Sequence, residues 1–259
     1  MVKKTASTQQ SLDRALELLE MLATTGSSMN VAEISKTLGI TRATATSMLQ
    51  SLLRRNYVEK DTETGKYSIG YKQYEMAMNY RHQYPFLYVA ADHVNAASEK
   101  LKLKINICVL KPPGVAVLIL SKDISLLSKM ILGYVLPGYA SASGKLLLAY
   151  APRETVEQWL DEMKFIPYTP HTIVSKKALL EQLDSIKTQG ISVESEELTL
   201  QRGCIAVPIR NISGQVIASV SVSGSKEAID ANRQTIIETL RLLGAGISSH
   251  LGYSPLMNR

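Results

Sequence analysis

Apolar residues recur along this chain in helical rhythm as far as residue 83, and the pattern changes to mixed helix and strand from residue 86. In residues 11–23, Leu12, Leu16, Leu19 and Leu22, with Ala15 and Met21 beside them, form a stripe at helical spacing. That stripe is expected to pack on the elements that follow. Asn30 with Glu33 makes a capping-box start, Val31, Ile34 and Leu38 give a short second helix one apolar face, and Gly39 suits the left-handed residue that ends it. Thr41 is placed to cap a third helix, on which Ala45, Met48, Leu49, Leu52 and Leu53 face inward. Arg42, Ala43, Thr44, Thr46 and Ser47 are left on its outward N-terminal end. Residues 57–60 and 66–69 then read as two strands around a polar turn, 61–65.

Helix, tight turn, helix and hairpin in this order predict a winged helix-turn-helix over residues 1–70. An αα-hairpin followed by a β-hairpin in some other small domain would share the bare pattern. The added signal is the first turn of the third helix, whose small side chains, hydroxyls and single Arg let it lie deep in a DNA major groove and meet base edges. Lys60 and Lys66 flank the wing and suit phosphates. Residues 71–83 hold no Gly or Pro before Pro85, and Tyr71, Tyr74, Ala77, Met78 and Tyr80 give a helical stripe, so 71–85 is expected to be a linker helix. Its aromatic face serves either its own domain or a dimer.

The third segment, residues 86–259, mixes both periods. A helix over 86–101 carries Leu87, Ala90, Val94, Ala97 and Leu101 on one face. Strands at 105–110 and 115–120 flank a turn at 112–114, and strands at 204–209 and 216–222 flank a turn at 211–214. Helices are expected at 143–150, 154–161, 175–189, where Gly190 ends the last, and 227–250. Hairpins with helices between them indicate an α+β domain whose antiparallel sheet carries packed helices.

Composition narrows the class. Apolar content of 45% supports packed cores, no stretch approaches a membrane span, and residues 1–10 read as an arm with two lysines and no apolar run behind them. Two cysteines far apart, Cys108 and Cys204, argue against a disulfide framework and for a reducing, cytoplasmic setting. The net charge of +6 is a mild bias toward polyanions. It is shared evenly between residues 1–81 and the remainder, so the helical pattern, and not charge, singles out the DNA-reading segment.

Catalytic signals fail on spacing. Between Gly138 and Gly144-Lys145 five residues intervene where a phosphate loop has four, and Leu146 stands where it needs Ser or Thr. Ala142 occupies the nucleophile position of a Ser-x-x-Lys pattern. His82, His93, His171 and His250 stand apart in sequence, with no metal-ligand spacing. No catalytic residue, metal or cofactor is expected. A small-molecule enzyme with a fused DNA-binding domain would need a nucleophile and base, and a protein-binding second domain would need a pocket sealed by large apolar side chains. Ser141-Ala-Ser-Gly144 heads a helix, where it serves either as a plain cap or as an anion site, since free N–H groups and the helix dipole favour a carboxylate there. Ser221 and Ser223 alternate onto one face of their strand.

Taken together these motifs resemble the IclR family of transcriptional regulators. The resemblance rests on Ser11-Leu-Asp-Arg14-Ala15-Leu16, Asp61 with Gly65-Lys66-Tyr67-Ser-Ile69-Gly70, Ala140-Ser-Ala-Ser-Gly144-Lys145, Thr172-Ile173, Gly190-Ile-Ser-Val-Glu194, Gly203-Cys204-Ile-Ala206-Val-Pro208 and Val220-Ser221-Val222-Ser223-Gly224. It implies an N-terminal winged helix-turn-helix joined to a GAF-like effector domain, acting as a dimer, or a tetramer as a dimer of dimers, on an approximately palindromic double-stranded operator. It further implies an effector pocket built from Ala142, Ser143, Glu194, Cys204, Ser221 and Ser223. Many relatives carry Asp where Glu194 stands and a second acid at Ser195. The expected ligand is a small carboxylate that also bears a hydroxyl or amino group, its acid end near residues 142–144 and its donor end toward Glu194, Ser221 and Ser223.

Overall fold

A computed structural model describes residues 10–112, 114–121 and 135–254 of the chain. The N-terminal arm expected over residues 1–10 therefore lies, apart from Gln10, outside the described residues, as does Pro113 in the turn at 112–114. Two compact units are present, one reaching to Tyr84 and one beginning at Pro85.

In the first unit, α1 (Gln10–Thr25), α2 (Val31–Thr37) and α3 (Arg42–Leu53) precede a two-stranded antiparallel wing, β1 (Val58–Lys60) and β2 (Tyr67–Ile69), and then α4 (Lys72–Arg81). The caps are those that the residue types dictate. Asn30 Oδ1 accepts from the N–H groups of Ala32 and Glu33 while Glu33 accepts from the Asn30 N–H, closing a complete capping box. Gly39 sits at φ +62°, and Thr41 Oγ1 accepts from the Thr44 N–H. Leu18, Leu22, Ile34, Ala45, Leu49, Val58 and Tyr67 form one core. The stripe expected on α1 is corrected at its N-terminal end: Leu12 and Leu16 are 56% and 49% exposed, and Leu18 with Leu22 makes the packed edge. Only the C-terminal half of α1 lies over this core. On α4 no described side chain is buried, and Tyr71 and Tyr74 are each 62% exposed.

In the second unit, α5 (Phe86–Leu101) leads into β3 (Lys104–Lys111), β4 (Gly114–Leu120) and β5 (Val135–Pro137). Then follow α6 (Ala142–Tyr150), α7 (Arg153–Glu162), α8 (Lys176–Gln189), β6 (Ser192–Ser195), β7 (Arg202–Arg210), β8 (Val216–Ser225), α9 (Lys226–Ala231) and α10 (Arg233–His250). The six strands form one antiparallel sheet in the order β5-β4-β3-β8-β7-β6. Alternation of side chains along β7 and β8 sorts the two faces. Val207 and Val220 lie against Gly244 of α10, whereas Ala206 joins the cluster around α6 and Ser221 bonds to Ser143 of α6. α6 and α10 therefore cover opposite faces, and α6 is buried from Ala142 to Ala149.

Two short edge strands, β5 and β6, were not expected from the pattern, which has too few residues there to alternate. The expected helix over 227–250 is two helices, with the break at Asn232. Asn232 leaves helical geometry at φ −113°, ψ 16°, and its amide bonds back to the Ala228 carbonyl, a competition with the helix ladder that Asn side chains make readily.

Candidate functional site

On the first unit, α3 presents its N-terminal end as the residue pattern requires. Arg42, Ala43 and Ser47 are exposed, and Thr44 and Thr46 are half-buried beside them. The hydroxyls of Thr41 and Thr44 lie 2.9 Å apart, so cap and first turn hold one another. Across the wing, Asp61 Oδ1 accepts from the N–H groups of Glu63 and Thr64, each at 2.8 Å, and those bonds hold its carboxyl below the ordinary value. Gly65 completes the turn at φ +68°. Lys60 is exposed with its ammonium 5.5 Å from the centre of the Tyr67 ring, and Lys66 is half-buried just before the second strand. Arg54 and Arg55 stand exposed just past the end of α3 and were not singled out from sequence, where a basic pair at a helix end reads as an ordinary solvated terminus.

In the second unit, Ala142, Ser143, Glu194, Cys204, Ser221 and Ser223 line a single cavity of about 100 Å³. Strand register explains why residues so far apart in sequence meet. Glu194 on β6 pairs with Cys204 on β7, and Cys204 pairs with Ser223 on β8, so one row across three strands points these side chains to the α6 face. The next row on that face carries Ser192, Ala206, Ser221 and Asn106, the last on β3. Small Ala206 leaves room for α6, whose Ser143 hydroxyl donates to Ser221 Oγ at 3.1 Å.

The N-terminus of α6 heads the cavity. Ser141 caps it, accepting from the Gly144 N–H and donating to the Pro137 carbonyl at 2.8 Å. The N–H groups of Ala142 and Ser143 have no partner within the helix. Gly144 is required here because a Cβ would fall 2.2 Å from the Gly138 carbonyl oxygen.

Glu194 is buried, and burial pushes its carboxyl above the ordinary 4.5. Its Oε1 accepts from the N–H of Glu197 at 2.6 Å and of Leu198 at 3.3 Å, which offsets part of that rise. One oxygen of Glu194 thus holds the loop after β6 rather than standing free for a ligand, which narrows the role expected of it. The same loop is pinned from beneath. The fully buried Lys145 ammonium donates to Glu197 Oε1 at 2.5 Å and to the Val193 carbonyl at 3.1 Å, and the hydroxyls of Thr169 and Thr172 donate to the carbonyls of Glu196 and Glu197. Burial raises the Cys108 thiol to about 12 and also raises Cys204, so both are protonated and unreactive at neutral pH.

Sequence reasoning missed Asn106, Cys108 and Arg202 in this cavity, and Ser141, read as heading the helix, lines it as well. Arg202 had a usable signal, because it sits two residues before Cys204 on the same strand and so shares its face. Its guanidinium has no ion pair or hydrogen bond among the described residues. Leu136, Leu198 and Thr199 are shared between the cavity and a larger cleft of about 990 Å³ beside it, lined in part by Tyr139, Trp159, Met163, Ile166 and Tyr168. Histidines read as separate in sequence are partly brought together: the rings of His93 and His250 lie 5.9 Å apart. No cluster suited to a metal ion occurs among the described residues, and no described helix is long and apolar enough to cross a membrane.

Comparison with known proteins places this arrangement. The family model for the IclR helix-turn-helix domain matches residues 11–62, and that for the bacterial transcriptional regulator IclR C-terminal domain matches residues 78–249. The regulator XynR of Escherichia coli strain K12 is 28% identical over 246 residues, covering 94% of this chain and 98% of that protein. The crystal structure of the Thermotoga maritima IclR superposes with a TM-score of 0.80 at 23% identity, covering 95% of this chain and all of that one. An IclR homologue from Microbacterium hydrocarbonoxydans, crystallised with 4-hydroxybenzoate, gives 0.81 at 24% identity with the same coverage. With both family models matched in order over most of its length, the chain belongs to the IclR family of DNA-binding transcriptional regulators.

Proposed function

We propose that this protein reads a double-stranded operator through α3 and the wing, and that a small carboxylate in the second unit modulates that binding. The observation that carries the effector half is the meeting of Ala142, Ser143, Glu194, Cys204, Ser221 and Ser223 around one cavity. Its volume is well above the roughly 10–15 Å³ that one water needs, and suits a small acid. Two features favour an anion: the N–H groups heading α6 and the unpaired Arg202 guanidinium. The hydroxyls of Ser143, Ser221 and Ser223 both donate and accept. A hydroxy acid such as the 4-hydroxybenzoate held by the Microbacterium hydrocarbonoxydans protein belongs to the class these groups fit.

For DNA, Arg42 with Ala43, Thr44, Thr46 and Ser47 meets base edges, and Lys60, Lys66, Arg54 and Arg55 meet phosphates. A single winged helix covers few base pairs, so the working form is a homodimer, or a dimer of dimers, on an approximate palindrome. Fluorescence anisotropy of labelled operator, titrated with full-length protein with and without candidate acids, tests the reading. The expected result is an operator affinity that shifts in the presence of a carboxylate and does not shift with Ser143→Phe, which fills the cavity. Identical curves with every acid, at concentrations that saturate binding by calorimetry, would overturn it.

A further inference from the structure

We propose that Asn106 selects the effector by accepting a hydrogen bond from a hydroxyl or ammonium group of the bound acid, an assignment that rests on the carboxylate reading of the cavity. Asn106 is in β3, a strand inside the sheet, paired directly with Ser221, and lines the same cavity. It is 3% exposed. Its Nδ2 donates to Ser223 Oγ at 3.4 Å, while its Oδ1 has no hydrogen-bond partner. Buried amide oxygens are almost always satisfied, so one facing a polar cavity marks a place where a bound group supplies the donor.

The neighbouring acceptors are already partly committed. The Ser143 and Ser221 hydroxyls are bonded to one another, and one oxygen of Glu194 is taken by the Glu197 and Leu198 N–H groups. The N–H groups at the head of α6 offer donors, and the exposed Arg202 lines the cavity as well; both match a carboxylate. Asn106 Oδ1 offers an acceptor, which matches a second, protonated group. The ligand that satisfies both is a hydroxy or amino acid, and an acid lacking that group leaves the amide oxygen buried and unpaired.

Calorimetry on the full-length protein tests this with matched acids: propionate, lactate and alanine as one set, benzoate and 4-hydroxybenzoate as another. Wild type is expected to bind a hydroxyl- or amino-bearing member at least about tenfold more tightly than its plain partner. Asn106→Ala should erase that gap while leaving the plain acids bound as before, which separates loss of the contact from loss of the fold. Asn106→Asp keeps shape and acceptor; it should weaken all the acids through its charge and preserve the gap. Plain acids that bind as well as their substituted partners in wild type, or a gap that survives Asn106→Ala, would overturn the assignment and leave the carboxylate reading standing. Failure of all five compounds to bind would overturn both.

Discussion

Glu194 shows how one buried carboxyl ties the site to pH. Its folded value is raised above the ordinary 4.5, so between the two values the folded state holds a proton that the unfolded chain has released. Stability from this group is therefore present below about 4.5 and lost as pH rises through the raised value. Glu194→Gln should flatten that part of the profile, measured by urea unfolding from about pH 4 to about pH 8. It should also remove the repulsion of anions that grows on ionisation, so that acid affinity falls less with rising pH than in wild type. A difference in stability between wild type and Glu194→Gln that does not change with pH across that interval would contradict this account. Beneath it, Lys145→Met leaves Glu197 without its buried partner and is expected to cost about 3–5 kcal/mol of stability.

At the scale of elements, the N-termini of α6 and α3 are held differently. α6 is capped by Ser141 and closely packed, and its Gly144 tolerates no side chain; Gly144→Ala should destabilise the second unit by about 1–3 kcal/mol through backbone displacement, visible as a lower Tm. α3 is capped by Thr41 and faces outward. Arg42→Ala is expected to cost about 1–3 kcal/mol of operator affinity and to relax specificity at the bases it meets. Lys66→Ala should instead weaken operator and random DNA alike and flatten the salt dependence. Paired titrations against both DNAs separate the two, and an equal loss on both for Arg42→Ala would take it out of base reading.

The whole molecule leaves apolar side chains uncovered on its first unit. Leu12 and Leu16 on α1, Tyr71 just before α4 and Tyr74 on it are each about half exposed or more, which suits burial against a second copy. If the protein self-associates through this face, Leu12→Glu with Leu16→Glu is expected to lower the molar mass seen in light scattering and to abolish tight binding to a palindrome while sparing the helix content. Unchanged mass and operator affinity would rule this face out as a self-association surface.

Local signals were legible wherever the relevant interaction lies within a few residues. The capping box at Asn30 and Glu33, the Thr41 cap, Gly39, the wing turn and the alternation of Ser221 with Ser223 all depend on backbone geometry that the residue types set themselves. The six cavity residues were proposed through family resemblance; periodicity alone put Ser221 and Ser223 on one face of their strand without saying what that face meets. Strand register decided what sequence left open, because pairing β6, β7, β8 and β3 side by side is what puts Glu194, Cys204, Ser223, Ser221 and Asn106 on one face. Tertiary packing also decided that Leu18 and not Leu16 is buried, that α9 and α10 part at Asn232, and that Glu194 is occupied by the loop after it. Burial and partnership depend on groups brought together from distant parts of the chain, and neither periodicity nor spacing records them.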